Sequence, residues 1–105
     1  MAQMNMQKMM LQARRMQEEV EKAQEEAKLL EAEGSAGGGV VKAVASGDGR
    51  IKKISISPDA VDPDDVEMLE DLTMAAVNDA LTNAGELAQM RVEAATGGFN
   101  IPGMM

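Results

Sequence analysis

Apolar residues recur from Ala2 to Leu30 in alternating steps of four and three: Ala2, Met6, Met9, Ala13, Met16, Val20, Ala23, Ala27 and Leu30. A heptad seam of this length, with an average period of about 3.5, demands a helix packed along one side against another helix. The residues between are mostly Gln, Glu, Lys and Arg, which favour helix, and neither Pro nor Gly intervenes before Gly34. The spacing predicts a helix over residues 3–30 whose partner lies in the same chain or in another. A chain of 105 residues leaves room for one small domain around it. Such a domain buries only about two-thirds of its unfolded surface, so its core is thin.

After Gly34 the pattern changes. Ser35 to Gly39 reads as a small-residue turn, and two strands follow, Val40 to Ser46 and Ile51 to Ser57. Between them Gly47-Asp48-Gly49 carries an Asp-Gly step suited to a tight hairpin with positive φ. Two strands alone are marginal, and Leu30 to Ser35 is the stretch available for a short third. A second helix is expected to start with Asp62 as cap and Pro63 in the first position, Asp64 and Asp65 favouring its positive end. Val66, Leu69, Leu72, Ala76, Ala80, Ala84 and Leu87 keep one side apolar, Gly85 is a weak point, and Gly97-Gly98 is a natural stop. The fold class is therefore α+β: a long N-terminal helix, a small antiparallel sheet and a long C-terminal helical segment. Residues 1–98 are expected to form a single domain and 99–105 a flexible tail.

Composition narrows the chemistry. The chain has no Cys, His, Trp or Tyr, and its one aromatic residue is Phe99. Disulfides, thiol chemistry and ordinary zinc or haem ligation are excluded, and the commonest general base is missing. Asp62, Asp64 and Asp65 lack calcium-loop spacing, and helix capping accounts for them. Gly37, Gly38 and Gly39 lack the Lys-Ser/Thr and following helix of a phosphate loop. The serines have neither a His nor a Ser-x-x-Lys pattern. No enzyme activity, cofactor, metal or small-molecule substrate is expected. Gln3, Asn5, Gln7 and Lys8 interrupt the apolar start, so there is no secretory segment, no membrane span and no membrane partner to expect, and the location is read as cytoplasmic.

Charge is divided along the chain. The total is −8, yet residues 1–57 carry 9 basic and 8 acidic side chains, whereas residues 58–105 carry 1 and 10. Residues 1–16 hold Lys8, Arg14 and Arg15 with no acid. With Met6, Ala13, Val20 and Ala27 at heptad position a, Lys8, Arg15 and Lys22 fall at c, and Arg14 and Lys28 at b. These form one stripe away from the seam, repeating every 10 Å or so. A stripe of this kind can touch phosphates along a duplex without reading bases. It also suits the solvated face of a coiled coil. A second cluster, Arg50, Lys52 and Lys53, has two readings as well, phosphate contact or protection of a sheet edge. Met6, Met9 and Met16 suit either core packing or a soft surface for partner proteins.

The run Asp62 to Leu81, DPDDVEMLEDLTMAAVNDAL, resembles the signature helix of the YbaB/EbfC family of bacterial nucleoid-associated proteins. Gly37 to Asp59, GGGVVKAVASGDGRIKKISISPD, is similar to that family's hairpin, and the Met- and Gln-rich opening and the closing GGFNIPGMM fit too. The resemblance spans essentially the whole chain. It implies a non-enzymatic homodimer in which two sheets join, with helix ends projecting like tweezers to grip double-stranded DNA. The location it implies is the nucleoid, and the activity is bridging or compacting DNA, or affecting gene expression. Lys8, Arg14, Arg15 and Lys22 are the positions matching the grip, and the distal second helix offers only Arg91 beside them. Six to eight phosphate contacts per dimer would give a fall in log K of roughly 5–7 per decade of salt. A heptad helix, hairpin and second helix also resemble prefoldin-type subunits in outline, which implies a chaperone or adaptor using Met-rich helix ends.

Overall fold

The computed structural model describes residues 2–97, and the expected tail 99–105 lies outside them. Two helices, α1 (Ala2–Leu29) and α2 (Val66–Thr96), enclose three strands, β1 (Glu31–Ala36), β2 (Val41–Ser46) and β3 (Ile51–Ile56). Short 3-10 turns fall at Gly37–Gly39 and Pro58–Ala60. The sheet is antiparallel in the order β1-β2-β3. The architecture is the α+β arrangement expected, and the third strand occupies the stretch available for it, displaced by one residue.

Small side chains bring α2 onto the sheet. Ala76, Ala80 and Ala84 of α2 meet Val41, Ala43 and Ala45 of β2, and Val41 is the largest side chain that is fully buried among the described residues. Leu69, Leu72, Val77 and Leu81 pack around this centre. Gly34, opposite Ala43 in the register, has α2 directly above it. A Cβ there would lie 2.1 Å from the Ala80 nitrogen and 2.7 Å from the Ala76 oxygen. Gly34 is thus less a helix breaker than the place where strand and helix backbones touch.

Side chains of α2 also close the outer edge of β1. The Asn83 amide donates to the Glu33 carbonyl at 2.9 Å, and the Asp79 carboxylate accepts from the Ser35 N–H at 3.0 Å. Strand β3 has no such cover among the described residues, and all six of its residues are exposed. An irregularity at Val44/Ala45 sets Ile51 opposite Ala45, while Ile54 and Ile56 face Ala43 and Val41. Directly opposed residues share a face, so the extra residue of this bulge puts all three isoleucines on the α2 side. There they extend past the part of the sheet that α2 covers, 37%, 44% and 43% exposed in turn.

The hairpin is a three-residue loop, Gly47-Asp48-Gly49: Ser46 N–H donates to Arg50 O, Gly49 N–H donates to Ser46 O, and within the loop only Gly49 takes positive φ, at 85°. That pattern fits a type I turn closed by a left-handed residue, the positive φ of the expected Asp-Gly step falling on its glycine. The start of the second helix is corrected. Helix α2 starts at Val66, its cap being Asp65, whose carboxylate accepts from Met68 N–H at 3.2 Å. Asp62 instead accepts from Asp64 N–H with its side chain and from Asp65 N–H with its carbonyl. Pro63 suits the second position of a β-turn as well as the first turn of a helix, and here it serves the turn. Helix α2 runs unbroken through Gly85 to Thr96, and Gly97 caps it.

Candidate nucleic-acid interface

Helix α1 is anchored at its C-terminal half. Ala23 and Ala27 are buried, Met16 and Val20 are half-buried, and the Glu26 carboxylate pairs with the Arg91 guanidinium of α2. At the root, Leu30 O accepts from Gly47 N–H at 2.8 Å, so the hairpin holds the end of the helix. A Cβ on Gly47 would sit 1.9 Å from Ala27 O, and only glycine allows this approach. The predicted seam therefore packs on α2 from Met16 onward.

Its first half is bare. Every side chain from Asn5 to Arg15 is exposed, a length of about 16 Å of helix. The molecule is correspondingly long, 78 × 26 × 15 Å. Lys8, Arg14 and Arg15 lie on this free segment, and none of them forms an ion pair among the described residues. Lys22 is exposed too but stands among Glu18, Glu19, Glu25 and Glu26, three or four positions away on either side. Neighbours at that spacing share a helix face, so the field at Lys22 is mixed on both sides, whereas Arg14 and Arg15 have Glu18 and Glu19 on their C-terminal side alone and Lys8 has no acid at that spacing. The structure brings Lys8, Arg14 and Arg15 together on the free tip and sets Lys22 apart at the packed root.

Arg91, the lone basic group of the distal second helix, is held by Glu26 and is no free cation. The tip also carries exposed apolar groups: Met6 65%, Met9 64%, Met10 65% and Leu11 50%.

The hairpin cluster is more ordered than its sequence suggested. Arg50 lies 3.7 Å from the Asp48 carboxylate. The Ser46 hydroxyl, donating to that carboxylate, is the first cause holding its pKa below the usual value, and the Arg50 charge acts in the same sense against partial desolvation. Lys42 was not singled out by sequence reasoning. Its alternation with the buried Val41 and Ala43 places it on the open face of the sheet, the signal that could have found it.

No group of metal-ligating side chains is present among the described residues, and Asp62 and Asp65 are occupied by turn and cap. No described helix is long and apolar enough to cross a membrane.

A free helix tip on a small α+β frame, with cations in no ion pair among the described residues, has the chemistry of a binding surface suited to an extended anion. The chain belongs to the YbaB/EbfC DNA-binding family, whose model matches residues 1–99, and this is not an enzyme family. It is 53% identical over 100 residues to a nucleoid-associated protein of Caldanaerobacter subterraneus subsp. tengcongensis, covering 95% of this chain and 90% of that one. A nucleoid-associated protein of Desulforamulus reducens is 54% identical over 100 residues, covering 95% of each. An uncharacterized protein from Helicobacter pylori, solved by crystallography, shares the fold with a TM-score of 0.57, covering 71% of this chain and 87% of that one at 24% identity.

Proposed function

We propose that this protein binds double-stranded DNA on the bacterial nucleoid, in the cytoplasm, as a homodimer that grips or bridges the duplex with its α1 tips. The observation that carries the reading is the acid-free run at residues 5–16, where Lys8, Arg14 and Arg15 stand exposed and unpaired on a helix that projects from the fold. Phosphate contact needs cations that are not already neutralised, and the tip supplies them. Lys22 contributes less because of its acidic neighbours. The names of the relatives and the description of the family support the same partner. Dimerisation follows the sheet: β1 is closed by Asn83 and Asp79, whereas β3 is bare and flanked by uncovered isoleucines.

Reversing Lys8, Arg14 and Arg15 to Glu should remove most of the duplex affinity in fluorescence anisotropy while circular dichroism stays unchanged. Wild-type affinity in that variant at moderate salt would refute the tip as the site. The exposed Met6, Met9, Met10 and Leu11 favour a second reading, a clamp for partner proteins. Suppression of aggregation without any binding of plain duplex would support it over the first.

A further inference from the structure

The tip does not account for the basic residues of the sheet. In the register, Lys42 pairs with Ser55 and Val44 with Lys53, so Lys42 and Lys53 are diagonal neighbours on the face opposite α2. Diagonal neighbours lie roughly 7–8 Å apart, within one Debye length at physiological salt, and their fields add. The side chains around them are short: Ser35, Ser55 and Val44 form a low floor above which two long lysine stems stand, and both lysines are exposed. Lys52 extends the positive edge toward the hairpin, where Arg50 is paired with Asp48. The acids sharing this face are Glu31 and Glu33 on β1; Glu33, opposite Val44, is diagonal to Lys42 as Lys53 is, and neither acid forms an ion pair with Lys42 or Lys53 among the described residues.

The remaining acids fall elsewhere. Glu67, Glu70, Asp71, Asp79, Glu86 and Glu93 belong to α2, on the other side of the sheet, Glu18, Glu19, Glu21, Glu25 and Glu26 belong to α1, and Asp48, Asp59, Asp62, Asp64 and Asp65 lie in the turns. About 10 Å of packed layer separates the two surfaces. The helix side of the sheet is therefore acidic, whereas on the open face the positive charge is gathered on the β2-β3 half, at Lys42 and Lys53.

We infer that the open face of the sheet, through Lys42 and Lys53 with Lys52 at its edge, is a second surface for the phosphate backbone of duplex DNA. The inference rests on the DNA-binding reading above but names a different site. A duplex carries one charge per about 1.7 Å of its axis, so a flat face with spaced cations meets several phosphates without inserting into a groove. With tips and sheet both engaged, one molecule can hold two segments of DNA, which is what bridging requires.

The test is a salt series of duplex affinity for the full chain, comparing wild type with Lys42→Gln/Lys53→Gln, which keeps both side chains long and leaves the strand pattern intact. Circular dichroism and thermal unfolding establish that the variant is folded, and Lys42→Arg/Lys53→Arg is the charge-retaining control. Removing two contacts per protomer should reduce the slope of log K against log salt by about 2 per protomer. The arginine variant should keep the wild-type slope. A folded glutamine variant with unchanged affinity and slope overturns the sheet site and leaves the tip reading standing. Wild-type protein that binds no duplex even at low salt overturns both. Retained binding by the tip triple variant that is lost on adding the two glutamines would establish the second surface directly.

Discussion

At the scale of single residues, the family signature acquires a mechanical meaning. Within the run Asn78-Asp79-Ala80, Asp79 takes the Ser35 N–H and Ala80 lies against Gly34. Asn83, one helical turn further on, takes the neighbouring carbonyl of β1. These residues clamp a strand that is distant in sequence, which is why no local pattern reveals their role. Periodicity marks Ala80 as buried, but it cannot say that a glycine backbone lies beneath it. Replacing Gly34 with Ala forces a methyl group onto the backbone of α2, and backbone cannot rotate away as a side chain can. Overpacking typically costs about 1–3 kcal/mol, and the upper end is expected here. A fall in the urea midpoint with an unchanged slope would report that loss, and an unaltered midpoint would contradict the contact.

At the scale of elements, the regular patterns were legible and the start of α2 was not. The heptad seam predicted α1 within one residue at each end, and the run Val40 to Ser46 placed β2 within one residue. The start of α2 was misplaced because Asp62 and Asp65 are equally good caps. The turn decides between them, because Asp62 is used there by the N–H groups of Asp64 and Asp65, which leaves Asp65 to cap. The seam also could not disclose where its partner ends, since periodicity is the same in the packed and the free half of α1. This divides the helix into two mutational regimes. Met6→Gln with Met9→Gln should leave unfolding free energy within about 0.5 kcal/mol, as expected for exposed positions. Ala23→Glu, which drives a charge between α1 and α2, should cost more than about 3 kcal/mol. Chemical unfolding of both variants checks the contrast, and equal effects would mean that the tip is covered after all.

At the scale of the whole molecule, the net charge of −8 is a poor guide because it averages over separate surfaces. What matters for DNA is how many positive surfaces one assembly presents, and that number depends on the dimer. An uncovered strand offers unpaired N–H and C=O groups to any matching strand. The two edges of this sheet differ in that respect, and only β3 is left open by the described side chains. Pairing two β3 strands would join the sheets into one and bring together two sets of Ile51, Ile54 and Ile56, which α2 leaves uncovered. Ile54→Asp should then yield monomers in sedimentation velocity, because it sets carboxylates close together in an apolar seam. Its consequence for DNA is separable from folding. A monomer keeps one tip, so half of the six to eight phosphate contacts disappear and the salt slope should fall to roughly 3 per decade. The loss of bivalence should weaken binding further, by about 100-fold or more where both tips reach one duplex. A folded monomer with the dimer's slope would place all the contacts within one protomer and rule out the paired grip.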